Sequence, residues 1–287
     1  MIRLREAEMG PNSIKELIIQ NLREDAKRFS ISVFDELAST NLYLYDKGRE
    51  GANDGTVVIA LKQSGGVGRC GRSFYSPNGG NLYMSVLLRP SYSLGECRLI
   101  TTAAAVAASD AIYEVCGQQT RIKWVNDLYL DDKKVCGILT QASVGTNRHC
   151  HAEGLEYIVL GIGINLFESR DAVPDDISNI YGSVLGINND ENGRFEIMSR
   201  VAAKFLVKFM LYYDSLSKRD FIARYNELLL GKGGKAQYMS GNNIYDITIK
   251  GINDETELIA VDDDGRERVF CDGEIRLIPQ SLMRSTR

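Results

Sequence analysis

Residues 62–74, KQSGGVGRCGRSF, set four glycines (Gly65, Gly66, Gly68, Gly71) around two arginines (Arg69, Arg72). Glycine opens backbone conformations closed to other residues and lets the chain lie against a ligand, with its N–H groups forming a concave nest for phosphate or carboxylate oxygens. Each guanidinium adds a charge-assisted, two-pronged donor. The chemistry on offer is the holding of anions. A mobile connector would have the same composition, so the loop alone does not decide. Downstream, residues 121–141 (RIKWVNDLYLDDKKVCGILTQ) add Lys123, Asn126, Asp127 and Lys134. Where two anionic groups are brought together, cations and N–H donors must stand where negative charge accumulates. Arg69, Arg72, Lys123 and Lys134 are the available cations. Asp127 could partner Mg2+ or simply cap a turn, and Lys123 could equally snorkel from a strand edge. Trp124 reads as core packing.

Composition narrows the classes. The chain has 287 residues, enough for one large and one small domain, with 44% hydrophobic and 25% charged residues. Its net charge of −4 and lack of a basic tract leave no electrostatic footprint for nucleic acid. The N-terminal segment is polar and no apolar run is expected to span a membrane, so a cytoplasmic protein without membrane partners is expected. Six scattered cysteines without a CxxC spacing argue for reduced thiols and against a metal ribbon or redox pair. The two histidines flank Cys150 in the polar run 145–154, read as an exposed hairpin loop; histidine-based catalysis is not expected.

The elements that must position these groups follow from pattern. Ser13 and Glu16 form a capping box ahead of an amphipathic helix with Ile14, Leu17, Ile18 and Leu22. A strand with Ile31, Val33 and Leu37 ends in Ser39-Thr40-Asn41, a helix N-cap cluster that could also bind a polar ligand head. Residues 57–61 form a buried strand that enters the Gly/Arg loop, and 82–88 form the next, slinging the loop across a sheet edge. The Ala-rich stretch 94–116 is a long buried helix. Residues 122–130 and 134–141 read as a hairpin around Asp131-Asp132, and 157–166 as a buried strand whose Gly161 and Gly163 admit close approach. Amphipathic segments follow at 177–185, 195–216 and 219–230. After the glycine-rich residues 231–234, short strands of about five residues run from 243 to 279.

Taken in order, these motifs resemble those of the biotin protein ligases. The STN cluster matches that family's opening motif, residues 62–85 its GRGRxGRxW loop and following strand, IKWVND its KWPND, KKVCGIL its RKLAGIL and GIGIN its GxGIN, while the terminal GEIRL resembles the end of its C-terminal barrel. The match covers residues 35–279. Val67 stands where the family usually has a basic residue, Phe74 replaces Trp and Val125 replaces Pro.

The resemblance implies an α+β fold: a central mixed β-sheet with flanking helices over residues 1–232, and a small C-terminal SH3-like β-barrel over 233–287. It implies a ligase that makes biotinyl-5'-AMP from biotin and ATP with Mg2+, then transfers biotin to a lysine of a biotin carboxyl carrier protein, without a permanently bound cofactor. Lys134 and Arg69 would be catalytic. Ser39, Thr40, Asn41, Gln63, Gly66, Arg69, Lys134, Gly137 and Gly161 would bind biotin. Arg69, Arg72, Phe74, Lys123, Asn126 and Asn165 would bind the nucleotide, and Asp127 the metal. With only a short helix before STN, the monofunctional class and no DNA binding are expected. Exposed sheet edges would allow a homodimer. Lipoate or octanoate transfer on the same scaffold, and a non-catalytic biotin binder, are the alternatives.

Overall fold

The computed structural model describes residues 9–92, 95–145, 154–240, 243–271 and 276–279. Helix α1 (Pro11–Leu22) starts earlier than the capping box suggests: Gly10 is its N-cap and Pro11 its first residue, whose fixed φ and missing N–H suit that position. Its Ile14, Ile18 and Leu22 are buried. Strand β1 (Ser30–Leu37) leads to α2 (Thr40–Arg49), and β2 (Thr56–Gln63) and β3 (Leu82–Leu88) flank the Gly/Arg loop. Helix α3 (Cys97–Cys116) ends at Gly117, which adopts a left-handed φ of 73° and returns its N–H to the carbonyl of Tyr113. Strands β4 (Arg121–Lys123), β5 (Asp127–Leu130), β6 (Lys133–Val144) and β7 (Leu155–Ile164) complete a seven-stranded sheet of order β1-β2-β3-β7-β6-β5-β4. Only β1 and β2 pair in parallel, so the sheet is mixed.

Alternation along the strands assigns the two faces. Val57, Ile59 and Leu61, then Leu82, Met84, Val86 and Leu88, then Ile158, Leu160, Ile162 and Ile164 enter the main core. That core also takes α1, α3, α5 (Glu191–Asp214) and α6 (Phe221–Leu228). The opposite face is covered by α2 over a small cluster of Leu44, Val58, Leu87, Tyr157 and Val159. Further along β7 this second face carries only Gly161 and Gly163, and the hydrophobic cover ends there. By length and composition α3, mean hydropathy 1.3, could cross a membrane, contrary to expectation, but 67% of that window is buried in this core.

Three expectations about the main sheet are corrected. The loop lies at the end of β2 and β3, interior neighbours in the sheet, so it does not cross an edge. Residues 122–130 are two strands: β4 folds back on β5 with Lys123 opposite Asp127, and residues 124–126 form the turn. The segment 177–185 is helical only at Ile177 and Ser178, the end of the four-residue α4 (Asp175–Ser178). Its remainder runs beside β6, where Tyr181 bridges Lys134 in parallel register and replaces β7 after that strand has ended. The backbone groups of Lys134 find partners there that a helix would not supply.

The C-terminal strands begin at Lys235, before residue 243. Strands β8 (Lys235–Ser240), β9 (Asn243–Ile252), β10 (Leu258–Asp262), β11 (Glu267–Phe270) and β12 (Arg276–Pro279) form a second antiparallel sheet of order β11-β10-β9-β8-β12. β9 has ten residues, twice the expected length. The 145–154 loop and its histidines fall mostly outside the described residues; its flanks, Gly145 and Gly154, are joined by a backbone hydrogen bond of 2.8 Å.

Candidate active site

The site is built on the α2 face of the sheet, where glycines form its floor. Gly137 and Gly163 are cross-strand partners. A Cβ on Gly163 would collide with the Phe74 ring, and one on Gly137 would stand 2.9 Å from that ring and 3.4 Å from Lys134 Nζ. The space above Gly137 is thus filled by Phe74. Gly161 is covered by the Asn41 carboxamide, again too closely for any side chain.

One end of the floor is a buried polar set at the start of α2. Ser39 is the N-cap, its hydroxyl accepting from Leu42 N, an interaction of about 1 kcal/mol. Ser39, Thr40 and Asn41 are all at most 4% exposed. Gln63 Oε1 accepts from both the N–H (2.8 Å) and the hydroxyl (3.1 Å) of Thr40, and its Nε2 donates to Ser76 Oγ at 2.9 Å. Ser85 Oγ lies 2.8 Å from Thr40 Oγ1 and 2.6 Å from Asn41 Oδ1, and Asn41 Nδ2 donates to Gln141 Oε1 at 2.9 Å. Gly66 belongs here because a Cβ would meet the Phe74 carbonyl and Ser76 Oγ. Ser76, Ser85 and Gln141 were missed by sequence reasoning. A signal was available for Ser85, the one polar side chain in the buried run of β3.

The other end carries charge. Lys134 Nζ is 2.7 Å from Asp127 Oδ1 and 6.0 Å from the centroid of Phe74. Asn126 Nδ2 donates to Asp127 Oδ1 (3.1 Å) and to the carbonyl of Ile138 (2.8 Å), while Asn126 Oδ1 accepts from Arg69 at 2.9 Å. Arg69, Asn126, Asp127 and Lys134 form one chain across the loop, the β4–β5 turn and β6. Lys123 faces the same way as Asp127, with its ammonium 5.7 Å from the Tyr129 ring. Arg72 is exposed, and its carbonyl closes the loop by accepting from Gly68 N at 2.7 Å. The end is therefore cationic, suited to a carboxylate and phosphates.

The strap at 180–184 fixes the backbone of Lys134 and Asn165. Lys134 N donates to Ile180 O (2.6 Å) and Lys134 O accepts from Gly182 N (3.0 Å). Asn165, 4% exposed, donates through Nδ2 to Gly182 O at 3.0 Å, and its Oδ1 is buried without a partner among the described residues. Beside it, burial pushes the Tyr181 phenol up to about 12, so it stays neutral. Its ring meets that of Tyr75 edge-on at 5.6 Å, and the Tyr75 hydroxyl is 3.2 Å from Ser169 Oγ, tying the strap to the residue after Phe74.

A glycine-floored acyl cradle next to a cation cluster on a mixed sheet defines a class of acid-activating ligases, and the comparisons agree. The chain belongs to the biotin/lipoate A/B protein ligase family, whose pattern matches residues 33–165. It is 30% identical over 261 residues to the bifunctional ligase/repressor BirA of Escherichia coli, covering 86% of this chain and 74% of that one. It is 24% identical over 250 residues to the biotin--[acetyl-CoA-carboxylase] ligase of Mycobacterium tuberculosis, covering 85% and 88%. The biotin protein ligase of Aquifex aeolicus, solved in complex with biotin and ATP, superposes with a TM-score of 0.67 at 23% identity, over 87% of this chain and 99% of that one.

Proposed function

We propose that this chain activates biotin with ATP as biotinyl-5'-AMP and transfers it to a lysine of a biotin carboxyl carrier protein domain. The observation that carries the reading is the pairing, over one glycine floor, of the buried Thr40–Asn41–Gln63–Ser85 set with the Arg69–Asn126–Asp127–Lys134 chain. The first set suits a ureido ring, which presents two N–H groups and a carbonyl. Against a lipoyl dithiolane the same buried groups would face no hydrogen-bonding partner, which costs affinity and favours biotin over lipoate or octanoate.

In the first half-reaction a biotin carboxylate oxygen attacks the α-phosphorus and pyrophosphate leaves. Lys134, released from Asp127, reaches both the carboxylate and the α-phosphate, and Arg69 holds the loop over them. Phe74 turns from its place on Gly163 to present a face to adenine, and Asn165 offers Oδ1 to a nucleotide donor. Asp127 would be the carboxylate to hold an Mg2+ brought by the nucleotide, which would neutralise phosphate charge; among the described residues no group of three or more acidic, cysteine or histidine side chains forms a metal site of its own. In the second half-reaction the carrier lysine, of unperturbed pKa about 10.4, attacks the acyl carbon as the free amine and AMP leaves. Closing the loop keeps water from the mixed anhydride in between.

Biotin-dependent exchange of labelled pyrophosphate into ATP tests the first half-reaction. Wild type is expected to exchange with biotin but not lipoate, and Lys134→Ala to lose at least about a hundredfold in rate, as for removal of a group that stabilises developing charge. Exchange that follows lipoate instead would defeat the assignment. Biotin binding without exchange would make the chain a binder.

A further inference from the structure

Trp124 was read as core packing, and the structure gives it a second partner. It is half-buried, and its indole Nε1–H donates at 3.0 Å to the carbonyl of Thr256, 132 residues away in the turn between β9 and β10. Thr256 has φ of 63°, a left-handed conformation that a β-branched residue rarely adopts, and it is 5% exposed. The turn that holds it there is stitched by Asn253. Its Oδ1 accepts from Glu255 N (3.0 Å) and Glu257 N (2.9 Å), its Nδ2 donates to Glu257 Oε2 (2.9 Å), and its carbonyl accepts from Thr256 N (2.9 Å). A residue held in so unfavourable a conformation persists where its surroundings over-determine it.

The opposite side of the same junction is α6. Its buried Tyr225 donates through OH to the carbonyl of Val125 at 3.2 Å, and its Asn226 exchanges two hydrogen bonds with Ile252, at 2.8 and 3.1 Å. Just before the helix, Arg219 pairs with Glu255 at 2.8 Å. Trp124 and Val125 are therefore held from two directions, and the next two residues, Asn126 and Asp127, reach Arg69 and Lys134.

We propose that the 253–257 turn positions the nucleotide end of the active site, with Trp124 and Thr256 as positioning residues that fix Asn126 and Asp127 through the indole–carbonyl bond. The inference rests on the ATP-dependent activation proposed above. It assigns to the C-terminal sheet a contact that acts at the cation end, where ATP is held, and that leaves intact the ureido-binding set at the start of α2, which shares no hydrogen bond with this junction.

Calorimetric affinities for ATP and for biotin, measured separately on the full chain, test it. Trp124→Phe keeps a ring in place and removes the N–H; the expected result is a roughly fivefold weaker Kd for ATP, the scale of one lost hydrogen bond, with biotin affinity unchanged. Trp124 is the single tryptophan of the chain, so its emission reports the junction independently of activity. Thr256→Pro, incompatible with a positive φ, is expected to red-shift that emission and weaken ATP to the same degree, while Thr256→Gly, which suits the conformation and keeps the carbonyl, restores both. Equal weakening of ATP and biotin, or an ATP affinity untouched in Trp124→Phe, would overturn the inference, as would a wild type that binds no ATP. Pyrophosphate exchange driven by lipoate would defeat the biotin assignment alone, since ATP is the co-substrate in either case.

Discussion

Lys134 illustrates how much of a residue's role is set by its neighbours. Its ammonium rests on Asp127, and its stem borders the same glycine floor as Phe74. Gly163 leaves no room in that floor, because any Cβ there enters the Phe74 ring. Gly163→Ala is expected to force the ring aside at a cost of about 1–3 kcal/mol, read as a lower denaturation midpoint, and to weaken ATP binding in calorimetry. At this scale the sequence was informative wherever residues came in motifs: STN, the Gly/Arg loop, WVND and GIGIN each converge on the site. It was uninformative for Ser76, Ser85 and Gln141, lone polar residues that acquire meaning only when strand pairing places them beside Thr40 and Asn41.

At the scale of elements, the strap at 180–184 departs most from expectation. Its apolar spacing suggested a helix, yet β7 ends at Ile164 and leaves a vacant position beside β6, which the strap occupies as an extended chain. Gly182 makes the close approach possible, since a Cβ would collide with that of Lys133. Gly182→Ala is expected to lift the strap, costing about 1–3 kcal/mol in denaturant unfolding. Because Lys134 N and O both bond to the strap, pyrophosphate exchange should fall by a larger factor than biotin affinity, whose ureido-binding set lies at the start of α2. The β4–β5 turn is the second departure. Residues 122–130 alternate well enough for one strand, but the short Trp124–Asn126 loop reverses the chain, bringing Asp127 opposite Lys123.

For the molecule as a whole, α6 joins the C-terminal sheet where its Asn226 exchanges hydrogen bonds with Ile252 of β9. Asn226→Ala leaves a backbone N–H and a carbonyl without those partners, and a loss of about 1–3 kcal/mol for each group left unsatisfied is expected in urea unfolding. If the sheets unfold separately, the C-terminal transition should move to lower urea first. The sequence by itself determined the order of the main strands and helices, because burial periodicity and caps are local, and it determined the family, because several short motifs recur in order. It also located the cations and glycines of the site. Only the tertiary structure decided which polar groups satisfy one another in the acid-binding set, what lies beside Lys134 once β7 has ended, and that the sole tryptophan reaches across to the C-terminal sheet. Those outcomes depend on pairings between residues as many as 132 positions apart, and no local pattern carries the information that selects such a partner.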